Sequence, residues 1–104
     1  MIKNDQNAET VFETDGITGK KLNVENGCEY VQLNIAANKE IEPHVLPMPV
    51  TFYVLNGNAE LTINNEQVIA KKGDLIEVKA GSSRAWKNMG DEELVLLAIK
   101  HVGV

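Results

Sequence analysis

His44 lies in the run Pro43-His44-Val45-Leu46-Pro47-Met48-Pro49, which holds all three prolines of the chain. An imidazole changes charge near neutral pH, so it can act as general acid, general base or metal ligand. A lone histidine among prolines is more often simply hydrogen-bonded. A transition-metal centre needs three or four ligands of N, O or S type, and beyond His44 only such residues as Glu42 and His101 are on offer. Arg84 is the second residue of interest. A buried guanidinium must have an acceptor. That acceptor is either a ligand carboxylate or phosphate gripped by two parallel hydrogen bonds, or an internal acid such as Glu42 or Glu77. Otherwise the side chain snorkels to solvent. Trp86, two residues on, either stacks on a planar ligand or fills core, and core filling is the favoured reading. Cys28 is the only cysteine, which excludes an internal disulfide and a Cys-rich zinc site. It sits in a strand-like run and reads as a small, half-buried residue rather than a nucleophile.

The elements that must position these residues read as strands. Helical periodicity is nearly absent, and short alternating or apolar runs are separated by turn residues every 8–12 residues or so. The expected strands are 10–14, 17–24, 29–35, a start at 39–42, then 50–55, 59–63, 66–70, 75–78, 84–87 and 92–100. In 29–35, Val31, Leu33 and Ile35 form one dry face. Asn56-Gly57-Asn58 between two β-rich runs predicts a tight hairpin. The prolines make 43–49 stiff and extended. Residues 1–9 are expected to be frayed. Without crossover helices the pairing must be mostly antiparallel, so the fold class is all-β, a jelly roll or barrel.

The 104 residues suit one domain, 1–104, with a modest core. The formal net charge of −5 argues against a nucleic-acid partner and against an anionic membrane surface. The N-terminal stretch lacks an apolar segment, and the run Leu94 to Ile99 is too short to span a bilayer. A cytoplasmic protein is the expectation.

Two spaced patterns remain. His44, Leu46, Val50 and Gly57 form the first, closing on Phe52-Tyr53-Val54-Leu55-Asn56-Gly57. Gly73, Lys79, Gly81, Arg84 and Asn88 form the second, fifteen residues (Asn58 to Lys72) further on. In these spacings, about 39–57 and 73–88, the chain resembles the small single-domain cupins. The resemblance covers Lys39 to Lys100 and implies a double-stranded β-helix that commonly dimerises. It also implies that the family's metal-binding histidines and glutamate fall on His44, Leu46, Val50 and Arg84. Only His44 is a ligand type, and Arg84 brings a permanent positive charge where a cation would sit. No cofactor is therefore expected. A divalent transition metal, if any, would rest on His44.

By strand alternation, residues in phase with those positions share the interior: Phe52 and Val54 follow Val50, and Trp86 follows Arg84. The expected ligand-binding set is His44, Leu46, Met48, Val50, Phe52, Arg84 and Trp86, with Met48 either a flexible plug at the mouth or core, core packing being the favoured reading. Tyr53 and Leu55 would face outward, against a second sheet or a second copy of the chain, which makes a homodimer the expected assembly. His101 reads as an exposed position near the terminus. Two functions follow. One is a metal-free module binding a small anionic or polar metabolite. The other is an enzyme: either acid–base isomerisation or epimerisation of a sugar or keto acid, with His44 as the catalytic candidate, or metal chemistry on a non-standard ligand set. The binding module is favoured, since the pocket has no second credible acid or base.

Overall fold

The computed structural model describes residues 1–103. Ten strands run in chain order: β1 Glu9–Thr14, β2 Ile17–Glu25, β3 Cys28–Ile35, β4 Glu40–Val45, β5 Val50–Asn56, β6 Asn58–Ile63, β7 Glu66–Lys71, β8 Leu75–Val78, β9 Ser83–Asn88 and β10 Leu94–His101. They form a six-stranded sheet, β1-β2-β3-β10-β5-β8, and a four-stranded sheet, β4-β9-β6-β7. Every pairing is antiparallel. From β3 onward the chain passes repeatedly between the sheets, the double-stranded β-helix arrangement. No helix of the described residues is long and apolar enough to cross a membrane.

Period-two alternation builds the core. Val50, Phe52 and Val54 of β5, Leu94, Leu96 and Ala98 of β10, and Ala59 and Leu61 of β6 are buried in one cluster between the sheets. Each large apolar side chain so buried contributes about 1.5–3 kcal/mol. Tyr53 and Leu55, out of phase, stay partly exposed on the outer face.

Three hairpins turn on steps of Asn, Asp and Gly. Asn26-Gly27 and Asn64-Asn65 each place two consecutive residues at positive φ (52° and 77°; 48° and 71°), the backbone a two-residue turn between twisted strands requires. Asp15-Gly16 joins β1 to β2.

Asn56-Gly57 does not make the expected hairpin. β5 pairs with β10 and β8, whereas β6 pairs with β7 and β9, so this step carries the chain from one sheet to the other. Tertiary contacts override the local signal: Asn56 Nδ2 donates to the Glu93 carbonyl at 2.9 Å. Gly57 has φ 90°, and a Cβ there would lie 3.0 Å from that same oxygen. The strand beginning near residue 39 runs on to Val45, through Pro43. Residues 1–8 lie outside the strands, with Asn4 Oδ1 accepting from the Gln6 and Asn7 amides, and Glu9 already belongs to β1.

Candidate ligand-binding site

The site starts from an irregularity in β4. Ile41 faces Trp86 and His44 faces Arg84, so two residues of β4, Glu42 and Pro43, stand against Ala85 alone. This is a β-bulge, and proline suits it because no ladder N–H is needed there. A one-residue slip turns a side chain to the other face of a sheet. The bulge therefore returns His44 to the inner face, on the side of Ile41, Arg84 and Trp86.

That face borders a cavity of about 840 Å³ between the sheets. His44, Leu46, Val50, Phe52, Arg84 and Trp86 all line it. Met48 does not: its side chain packs, partly buried, against the core. Val54 is buried but also lies outside the cavity wall. Phe52 and Trp86 meet edge to face, ring centroids 5.0 Å apart and planes at 63°, the arrangement favoured by aromatic quadrupoles.

Arg84 is 0% exposed. Its Nε and Nη2 share one acceptor, the Ser82 carbonyl, at 3.4 and 3.2 Å. Nη1 is buried without a partner. Neither internal acid considered from the sequence serves: Glu42 and Glu77 are exposed, and no ion pair among the described residues includes Arg84. The side chain does not reach solvent either. Burial alone pushes its pKa below the usual guanidinium value, and arginine remains charged all the same. Asn64 holds the carbonyl's segment in place: its Oδ1 accepts from the Ser83 amide at 2.8 Å and its Nδ2 donates to Ser82 Oγ at 3.3 Å. Trp86 is 1% exposed, and its Nε1 is a second buried donor without an acceptor.

His44 is exposed at the rim, its Nδ1 3.2 Å from the Glu42 carbonyl. A carbonyl only accepts, so this contact puts the proton on Nδ1 and leaves Nε2 as the ring's free nitrogen. Glu29 and Lys100, paired across β3 and β10 with Nζ to Oε1 at 3.9 Å, also line the cavity. Neither was singled out in the sequence. The signal was present: Glu29 is in phase with Val31 and Leu33, already assigned to the dry face. Val11, Phe12 and Thr14 of β1 complete the wall, and nothing local in the sequence marks an edge strand as doing so.

A transition metal does not fit the four positions that the family uses. Leu46 and Val50 offer no lone pair, and Arg84 is a cation. No group of three or more His, Cys, Asp and Glu side chains converges among the described residues.

His101 lies outside the cavity wall. It pairs in register with Cys28, with Nδ1 3.7 Å from Sγ, and its Nε2 is 2.9 Å from Thr51 Oγ1. These contacts tie β3, β10 and β5 together on the outer side.

The sequence profile of the cupin domain family (Cupin_2) matches residues 31–100. No curated protein matches. Among solved structures, KdgF from a Halomonas species superposes with a TM-score of 0.83 at 15% identity, covering 97% of this chain and 93% of that one. A predicted oxalate decarboxylase from Thermotoga maritima gives 0.83 at 18% identity, covering 98% and 99%. The polyketide cyclase RemF from Streptomyces resistomycificus gives 0.80 at 17% identity, covering 96% and 79%. At these identities the likeness is one of fold.

Proposed function

Since this chain belongs to the cupin domain family yet carries a donor set unsuited to the family's metal, we propose that it is a metal-free cupin that binds a small anionic or polar metabolite. One observation carries this reading: a fully buried guanidinium, its Nη1 unpaired, in the wall of a largely apolar cavity of about 840 Å³. An isolated buried charge costs several kcal/mol, and an anion bound against it recovers part of that cost. Apolar walls with a few convergent polar groups are the usual make-up of small-molecule sites. A cytoplasmic setting is part of the proposal, since a chain with one cysteine has no internal disulfide that calls for an oxidising compartment.

Thermal melting against organic acids and sugar phosphates tests the reading. A ligand at about 100 times its Kd adds about 2.7 kcal/mol of stability. Flat melting curves across the whole panel would refute it.

One observation favours an enzyme as the second reading. His44 uses Nδ1 on the Glu42 carbonyl, and its Nε2 makes no hydrogen bond among the described residues; at the cavity rim it could move a proton to or from a bound ligand. His44→Ala separates the two: it abolishes turnover in an enzyme and only weakens binding in a carrier or sensor.

A homodimer is part of the proposal. Leu75, Tyr53 and Leu97 stand side by side across β8, β5 and β10 on the outer face, with Leu75 59% and Tyr53 38% exposed. An apolar row of this kind is suited to a second copy.

A further inference from the structure

Resting on the binding reading above, we propose that the ligand is a monocarboxylate with an apolar body and a second, neutral hydrogen-bond acceptor, a carbonyl or hydroxyl oxygen. The carboxylate meets Arg84 and the neutral acceptor meets Trp86.

Arg84 has five N–H groups arranged in a plane. The Ser82 carbonyl takes one side of the fork, Nε–H and one Nη2–H. Both protons of Nη1 and one of Nη2 remain. The end of the guanidinium, with one free N–H on each terminal nitrogen, is the edge that accepts a carboxylate through two parallel bonds. Asn64 fixes that orientation through the Ser82-Ser83 backbone. The orientation of the free edge is therefore set by the fold, and because Nη1 is closed to water a side chain of the wall must move aside for a ligand to reach it.

Trp86 Nε1 is the other orphan. Residues 84 and 86 point to the same face of β9, about 6.6 Å apart at Cα. An indole N–H only donates, and a neutral carbonyl or hydroxyl oxygen satisfies it without bringing a second charge into the cavity. The same cavity is lined by Leu46, Val50, Phe52, Val31 and Ala98, which favours hydrocarbon between the polar ends of a ligand.

The charges at the cavity limit the ligand to one negative charge. Arg84 is the only buried cation among the described residues. Lys100 is paired with Glu29, and Glu40 and Glu42 stand exposed at the rim. These solvated acids are screened and act weakly on a neutral or singly charged guest. A second ligand charge would lose hydration with no further cation to receive it.

The chain has one arginine and one tryptophan, so its Arg Nε–H and indole N–H signals in a ¹H–¹⁵N spectrum are each single and self-assigning. Heptanoate, 6-oxoheptanoate, heptanamide and the dianion heptanedioate are titrated into the full chain. Heptanoate should shift the Arg84 signal and leave the indole nearly unmoved. The oxo acid should shift both and bind about fivefold tighter, the worth of one net neutral hydrogen bond. The amide and the dianion should bind at least about tenfold more weakly. Trp86→Phe should bring the ratio of oxo-acid to heptanoate affinity close to one, whatever its effect on the two affinities together, and Arg84→Gln should remove binding of both acids. Equal affinity for the plain and oxo acids, an unmoved indole, or a dianion as tight as the monoanion would overturn this inference and leave the binding reading standing. Absence of binding by every compound would overturn both.

Discussion

His44 and Arg84 stand directly opposite one another on antiparallel strands β4 and β9, although a regular β4 would turn His44 outward. The bulge at Glu42-Pro43 brings them to one face. Deleting Pro43 removes the extra residue, so a regular strand keeps His44 opposite Arg84 on the inner face. Ligand contacts made by both residues should survive the deletion. Comparing the deletion with His44→Ala by calorimetry checks this: the deletion should bind like the unaltered chain and more tightly than His44→Ala.

Arg84 sacrifices stability for its site. It is a buried cation without a carboxylate. Replacing such a charge with an apolar side chain of similar volume is often neutral or stabilising. Arg84→Met should raise the unfolding free energy of the ligand-free chain by about 1–3 kcal/mol while abolishing anion binding. Urea melts read the first effect and calorimetry the second. A large destabilisation would mean that the guanidinium is structurally required where it lies.

Asn88 is the contrasting buried polar residue on the same strand. Its Nδ2 donates to the carbonyls of Ile35 and Glu92, both at 2.9 Å, and its Oδ1 accepts from the Gly90 amide at 3.0 Å. All its polar atoms are satisfied, and it ties β9 to β3 across the two sheets. Asn88→Ala strands these groups and should cost about 2–4 kcal/mol, with ligand affinity per folded molecule unchanged.

The acid limb of the stability curve carries one assignable contribution. The Lys39 ammonium, 2.9 Å from Asp15 Oδ2, lowers the Asp15 pKa by hydrogen bonding and then by charge attraction. A carboxyl whose folded pKa lies below its unfolded value stabilises the fold above the unfolded pKa, and the contribution disappears as pH falls through the folded one. Asp15→Asn should therefore leave the curve flatter below about pH 4. The pair is exposed, so the change should shrink in high salt.

The fold was legible in the sequence because strand alternation and turn residues carry it locally. The phase of Val50, Phe52 and Trp86 was enough to place them inward. Two features were not legible, for a common reason. Asn56-Gly57 reads as a hairpin, and only the pairing of β5 with β10 shows that it joins two sheets. Glu29 shares the phase of Val31 and Leu33, but only its register with Lys100 across β3 and β10 shows the two as a pair at the cavity. Long-range pairing decided both. Met48, grouped with the pocket residues although core packing was its favoured reading, packs against the core.

The outer row of Leu75, Tyr53 and Leu97 predicts self-association. Tyr53→Glu should convert a dimer into a folded monomer, as read by sedimentation velocity. An unchanged sedimentation coefficient would remove this face from the account.

The central claim is that positions 44, 46, 50 and 84 form an anion receptor and not a cation cage. Metal content settles it most directly: the purified chain is incubated with excess iron(II), nickel(II), manganese(II) and zinc(II), exchanged into metal-free buffer and analysed by inductively coupled plasma mass spectrometry. The account predicts no metal beyond that retained by His44→Ala. One tightly held ion per chain that disappears in His44→Ala would contradict it.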